Sequence, residues 1–198
     1  MNDNQVINEI MNSNIMKEKI QIWQTNNWTG TPWEDYFLLG PKQKGALGEE
    51  FVENFMKRAD HLVEPPKDPG HDRIISGYRT EIKFSLASSN TKKGEKLIDP
   101  DSFTFNHIAE DKTWDRFIFF GVNPNISQKT RIRTNDPLPP QIRCYWMEKQ
   151  DFKQYMKSQD CIFKPQQGGK KANNDDYILA GNIGKLISLP FVKSIDLW

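Results

Sequence analysis

The segment Asp72-Arg-Ile-Ile-Ser-Gly-Tyr-Arg-Thr-Glu81-Ile-Lys83 carries two acids and an amine at spacings that suit metal-assisted chemistry. Ser76-Gly77 is a two-residue turn signal between two β-type runs, weaker than Asn-Gly but of the same kind. A hairpin closed there sets Ile75 opposite Tyr78, Ile74 opposite Arg79, Arg73 opposite Thr80 and Asp72 opposite Glu81. Side chains alternate faces along a strand, so Asp72, Ile74, Arg79, Glu81 and Lys83 share one face. Arg73, Ile75, Tyr78, Thr80, Ile82 and Phe84 take the other, which is mostly apolar and suits a core. Two carboxylates directly across a ladder have Cβ atoms about 4.5–5.5 Å apart and repel. A hard divalent cation between them reverses the sign, because Mg²⁺ takes carboxylate, water and phosphate oxygens. Such an ion acidifies a bound water and stabilises a pentacovalent phosphate. Lys83 stands two residues beyond Glu81, where its ammonium can orient an attacking water or offset developing charge. The competing reading is a surface hairpin with a solvated charged face.

An upstream helix, about Gly45 to Ala59, is the element that would bring a third acid. Leu47, Phe51, Val52, Phe55 and Met56 form one apolar stripe. With Leu47 at zero and a step of about 100° per residue, Glu49 falls near 200°, Glu53 near 240° and Glu50 near 300°. Glu49 therefore borders the stripe and is the better candidate to point along the sheet towards Asp72, with Glu50 as the alternative helix acid.

GALGEEFV, then a strand Asp, then Glu81-Ile-Lys83, then an apolar strand at 116–122 resembles the PD-(D/E)xK nucleases, type II restriction endonucleases in particular. The resemblance covers about residues 45–122. It implies an α/β (α+β) fold: a restriction-endonuclease-like mixed sheet of four to six strands flanked by helices. It implies a site-specific deoxyribonuclease that hydrolyses double-stranded DNA with Mg²⁺, leaving a 5′-phosphate and a 3′-hydroxyl. Asp72 matches the first acid, Glu81 the second, Lys83 the lysine and Glu49 the helix glutamate. Asp72, Glu81 and the Ile82 carbonyl would hold Mg²⁺, with Glu49 supporting the metal or its water. His71 precedes the acid where the motif has proline. Asp68, followed by Pro69, is an alternative first acid in a proline-rich loop. A repair or recombination nuclease of the same superfamily, acting on structure, is the runner-up; a DNA-binding module without catalysis is a third reading.

Small polar and cationic residues past the active strand, Ser85, Ser88, Ser89, Asn90, Lys92 and Lys93, suit phosphate contacts. Arg79 shares the acidic face, and Asn106-His107 are candidates to approach the scissile strand. Gln166, Gln167, Gly168, Gly169, Lys170, Lys171, Asn173 and Asn174 are the best candidates for base reading. Gln and Asn bond adenine, Lys bonds guanine, and glycine permits close backbone approach. Lys129–Arg133 is a basic run with phosphate-binding potential.

The chain of 198 residues suits a core at 45–198 with C-terminal recognition elements and an N-terminal helical arm at 1–44. That arm, amphipathic over 4–24, is a candidate dimerisation or DNA-contact element. Cutting both strands of a symmetric site is naturally done by a homodimer. A cognate DNA methyltransferase acting separately is a possible partner. Trp28, Trp33, Tyr36 and Phe37 read as connector residues that pack on the core. A Ser/Lys/Gly loop is expected at 88–96, a short helix within 103–114, strands at 116–122 and 143–149, and a helix at 150–159. With 36% hydrophobic and 27% charged residues, the chain is globular by composition. No apolar run approaches the ~20 residues of a membrane span, and the start lacks a signal-peptide pattern, so an intracellular location is expected. Cys144 and Cys161 form no ligand spacing with His61, His71 or His107, which disfavours zinc and suggests reduced structural thiols. Net charge is +1, so DNA attraction must come from local basic patches.

Overall fold

The hairpin closes at Ser76-Gly77 in the computed structural model, which describes residues 11–17, 28, 31–92, 95–109, 111–123, 141–165 and 176–195. Ser76 has φ 50° and Gly77 φ 85°, both left-handed as a tight hairpin turn of the primed kind requires. The register is Ile75↔Tyr78, Ile74↔Arg79 and Arg73↔Thr80, as expected.

Residues 1–38 and 39–198 form two compact units. In the first, Glu34–Leu38 is a 3₁₀ turn. Its rings pack on one another, Trp28 with Phe37 at 6.3 Å and Trp33 with Tyr36 at 6.1 Å between centroids.

In the second unit, helix α1 (Pro41–Arg58) leads into strands β1 (Val63–Glu64), β2 (Arg73–Ile75) and β3 (Tyr78–Leu86). Then come β4 (Ser89–Lys92), β5 (Glu95–Ile98), β6 (Ser102–Ala109), β7 (Arg116–Val122), β8 (Ile142–Glu148) and helix α2 (Lys149–Tyr155). The described chain ends with β9 (Lys164–Pro165), β10 (Asp176–Asn182), helix α3 (Gly184–Ile187) and β11 (Lys193–Ser194). A six-stranded sheet runs β1-β2-β3-β7-β8-β11. Only β3 and β7 are parallel in it, with Glu81 beside Phe117 and Lys83 beside Phe119. A smaller sheet runs β6-β10-β9, and β4 and β5 form a separate hairpin. The chain is thus mixed α/β. Among the described residues no helix is long and apolar enough to cross a membrane.

Aromatic rings fill both sides of β3 and β7. Phe51 and Phe55 of α1 meet Phe120 at 5.8 and 5.1 Å, and Phe51 meets Phe84 at 5.7 Å. On the other side Phe119 meets Phe105 of β6 at 5.2 Å, and Phe117 meets Trp114 at 5.1 Å. Gly48 lets α1 sit this close: a Cβ there would lie 2.6 Å from Phe84 Cβ. Gly48→Val is expected to cost about 1–3 kcal/mol, since an overpacked contact must shift backbone or rotamer. Urea denaturation checks this, and an unchanged midpoint would show that the helix has slack.

Five expectations are corrected. The helix begins at Pro41 rather than Gly45, because Pro suits a first helical position and the Gln43 side chain accepts the Gly40 N–H at 2.9 Å. The 88–96 loop is the β4–β5 hairpin. The short helix within 103–114 is strand β6, and the helix after β8 ends at Tyr155 before irregular turns. The hairpin does not have one open face. Ile74, Ile75, Thr80, Glu81 and Ile82 are all buried, because α1 packs on one face of the sheet at β3 and β6 on the other. The helical expectation over 4–24, the basic run 129–133 and the polar loop 166–174 fall largely or wholly outside the described residues.

Candidate metal and nuclease centre

β2 stops at Arg73, so β3 has an unpaired edge from Glu81 onwards. Asp72 fills it. Its N–H donates to the Thr80 carbonyl at 3.0 Å, and its Oδ2 accepts the Ile82 N–H at 2.7 Å. Asp72 therefore does not stand in a cross-strand pair with Glu81, as the turn register had suggested; its carboxylate folds onto the backbone that β2 has vacated. In an antiparallel pair a residue directs its N–H and C=O towards the same neighbour. The Ile82 carbonyl is thus aimed at the same edge as Asp72.

Glu81 is 0% exposed. Its Oε1 accepts the Lys83 ammonium at 2.9 Å and the Lys112 ammonium at 2.7 Å. Its Oε2 is buried without a hydrogen-bond partner. A buried carboxylate oxygen left unbonded costs at least the ~1–3 kcal/mol of an unsatisfied neutral group, so this atom has room for a water or an ion as partner. Lys83 Nζ also lies 5.9 Å from the centre of the Phe117 ring.

Glu49 completes the acidic set from α1. Its carboxylate lies 4.0 Å from Arg73 Nη1, and Arg73 Nε bonds Glu53 Oε2 at 2.5 Å. Burial raises the Glu49 pKa, and the Asp72 charge raises it further against Arg73 and Lys83. Burial likewise raises Asp72, with the Glu81 charge second, against the Ile82 N–H and the two lysines. Burial alone would lower Lys112, but Glu81, Asp72 and Glu49 outweigh it and hold it above its usual value. Like charges are thus concentrated at the end of β2 and offset by two ammoniums.

No family model, curated protein or solved structure matches this chain.

Asp72 supplies a prediction through its raised pKa. The folded state keeps that proton to higher pH than the unfolded chain, so the ionised carboxyl is a cost absent below its unfolded pKa and complete above its folded one. Asp72→Asn removes the charge and can still accept the Ile82 N–H. It is expected to raise the melting temperature of the metal-free protein at pH 7, with a gain that shrinks as pH falls through the carboxylate range. Calorimetry at several pH values checks this; a lower melting temperature at pH 7 would show that the charge is not a burden.

The other candidates are dispersed. Arg79 donates to Asp115 at 2.6 and 3.0 Å and holds the Asp115 carboxyl below its ordinary range. Ser85 is buried, accepting the Thr104 N–H at 3.1 Å, and Ser88 Oγ lies 3.4 Å from Thr104 Oγ1. Asn90 and Lys92 lie on β4, with side chains outside the described set, as Lys93 and residues 166–174 are wholly. Asn106 and His107 are exposed on β6, not on a helix face. There Ile178 of β10 faces both of them, a β-bulge in which His107 takes φ 55°. Asp68 caps its loop, accepting from Thr113 at 2.6 Å and Gly70 at 2.8 Å, and Thr113 is the first cause of its lowered pKa. Neither bond involves Glu81 or Asp72. Cys144 and Cys161 are free and buried, and burial pushes both thiols up.

Lys112 is the site residue that sequence reasoning missed. Its loop is pinned by the Lys149 ammonium, which donates to the Lys112 carbonyl, and by Asp115 N–H bonded to Arg79 O at 2.7 Å.

Proposed function

We propose that the protein is a Mg²⁺-dependent endonuclease that cuts double-stranded DNA at specific sites. The Glu81 carboxylate carries this reading: fully buried, one oxygen shared by two ammoniums, the other without a partner, and close enough to Asp72 that its charge raises the Asp72 pKa. Among the described residues no three His, Cys, Asp or Glu side chains gather as a ready set of ligands. Two carboxylates and a main-chain carbonyl, with water and phosphate oxygens for the rest, are nevertheless a donor set that suits Mg²⁺. Asp72, Glu81 and the Ile82 carbonyl would hold the ion, and Glu49 would accept from water at its margin. When bound, the ion would acidify water and offset charge on the phosphate. Lys83 holds Glu81 in place and presents a desolvated ammonium to the attacking water or the phosphate. Fixed charge in a buried site acts more strongly than in water, which is why the surrounding rings matter.

The test is digestion of a sequence-diverse plasmid with Mg²⁺ and with chelator. Discrete fragments in Mg²⁺ alone, lost in Glu81→Gln, are expected. Cuts confined to junctions or flaps would move the reading to a repair nuclease. Absence of any cleavage in Mg²⁺ or Mn²⁺ would overturn it.

A further inference from the structure

Lys112 has no part in the reaction proposed above, yet it makes the shorter of the two ammonium bonds to Glu81 Oε1, 2.7 Å against 2.9 Å for Lys83. It is also the more exposed of the pair, 36% against 16% for the side chains. Lys83 rises from the sheet beside Phe117, whereas Lys112 reaches in from a loop. Lys112 also lines a cleft of about 590 Å³, whose other charged residues are the cations Arg79, Arg116, Lys149 and Lys153 and the acids Asp111, Asp115 and Glu148.

Charge counting connects these facts. Asp72, Glu81 and Glu49 carry three negative charges when ionised, and Lys83 and Lys112 carry two positive ones. A divalent cation bound to Asp72 and Glu81 would turn that net negative set positive, with Lys112 bonded to an oxygen the ion needs. Either an ammonium withdraws or an anionic phosphate arrives. Lys112 is the one with a route, since it lines the cleft and its side chain is the more exposed of the two.

We propose that Lys112 is a cation placeholder: its ammonium holds Glu81 while no metal is present, competes with the divalent ion for that carboxylate, and moves out to the cleft as the ion enters. This rests on the metal-centre reading and specifies how that centre is loaded. Lys112 then acts through Glu81 as a positioning residue, and metal binding and DNA binding favour each other, because phosphate offers the displaced ammonium a partner.

The test is calorimetric titration of Mn²⁺ into the full chain without DNA, for wild type, Lys112→Met and Lys112→Arg. Lys112→Met is expected to bind Mn²⁺ at least tenfold more tightly than wild type, and Lys112→Arg, which keeps the charge, to stay near wild type. A merely structural role for Lys112 would weaken binding in both variants. In thermal melts, Lys112→Met is expected to start lower without metal and to gain more from Mn²⁺ than wild type does. Should Lys112→Met fail to fold, Lys112→Gln is read in the same way. Equal or weaker Mn²⁺ binding in the neutral variants, with wild type binding normally, overturns the placeholder and leaves the metal centre standing. No Mn²⁺ binding in any of the proteins overturns both.

Discussion

Lys83→Ala is expected to cut DNA about 10²–10³-fold more slowly than wild type in saturating Mg²⁺, the scale seen when one preorganised electrostatic contact is removed. The expectation rests on where the ammonium sits. It bonds Glu81 at 2.9 Å, its side chain is only 16% exposed, and the Phe117 ring lies 5.9 Å away. Water is scarce there, so the charge is poorly screened. Lys83→Arg is not expected to restore the rate, because a planar fork cannot occupy the place of a point charge on this strand. Duplex binding in Ca²⁺, read by gel shift, is expected to survive, and the metal-free fold too, since Lys112 still bonds Glu81 at 2.7 Å there. Cleavage by Lys83→Ala at the normal rate would remove Lys83 from the centre.

Phe119→Ala is expected to lose about 3–5 kcal/mol of stability, the range for deleting a buried aromatic side chain. Phe119 is 0% exposed, with ring centroids 4.8 Å from Phe117, 5.2 Å from Phe105 and 6.1 Å from Phe163. It therefore ties the larger sheet to β6 of the smaller one, and truncation leaves a void with little to fill it. Against a usual total of about 5–15 kcal/mol, that brings the chain near its threshold. Phe119 also stands beside Lys83 in the parallel register, so activity is expected to fail at lower temperature than in wild type. Urea unfolding followed by tryptophan fluorescence measures the loss; a change below about 1 kcal/mol would mean that the neighbouring rings repack into the gap.

The parts of the fold legible in the sequence are those set by neighbours in the chain. The Ser76-Gly77 hairpin follows from a turn dipeptide between two alternating runs, and three of its four expected pairs form, Asp72 opposite Glu81 being the exception. β7 and β8 follow from apolar and aromatic runs too short for helices. β6 was misread for a physical reason. Phe103 and Phe105 alternate as in a strand, but the bulge at Asn106-His107 adds a residue, so Phe105 and Ile108 fall three apart, as on a helix.

The clustering of Asp72, Glu81, Lys83 and Glu49 was legible because one hairpin and one helix carry them. Two things were not. The burial of Glu81 depends on β3 lying between β2 and β7, a neighbour nearly forty residues away in sequence. The arrival of Lys112 depends on the same parallel pairing, which brings the loop before β7 alongside β3. Neither pairing leaves a local pattern to read. Asp72 lies near Glu81 but bonds the Ile82 N–H instead of pairing across the ladder, because a turn register cannot reveal where β2 will stop.

The most direct measurement is a crystal structure of the protein soaked in Mn²⁺, with anomalous scattering used to locate the ion. A peak ligated by the carboxylates of Asp72 and Glu81 and by the Ile82 carbonyl, with Lys83 alongside, is the predicted result. Well-ordered Asp72 and Glu81 carboxylates with no anomalous peak between them, at Mn²⁺ concentrations that saturate ordinary nuclease sites, would contradict the account.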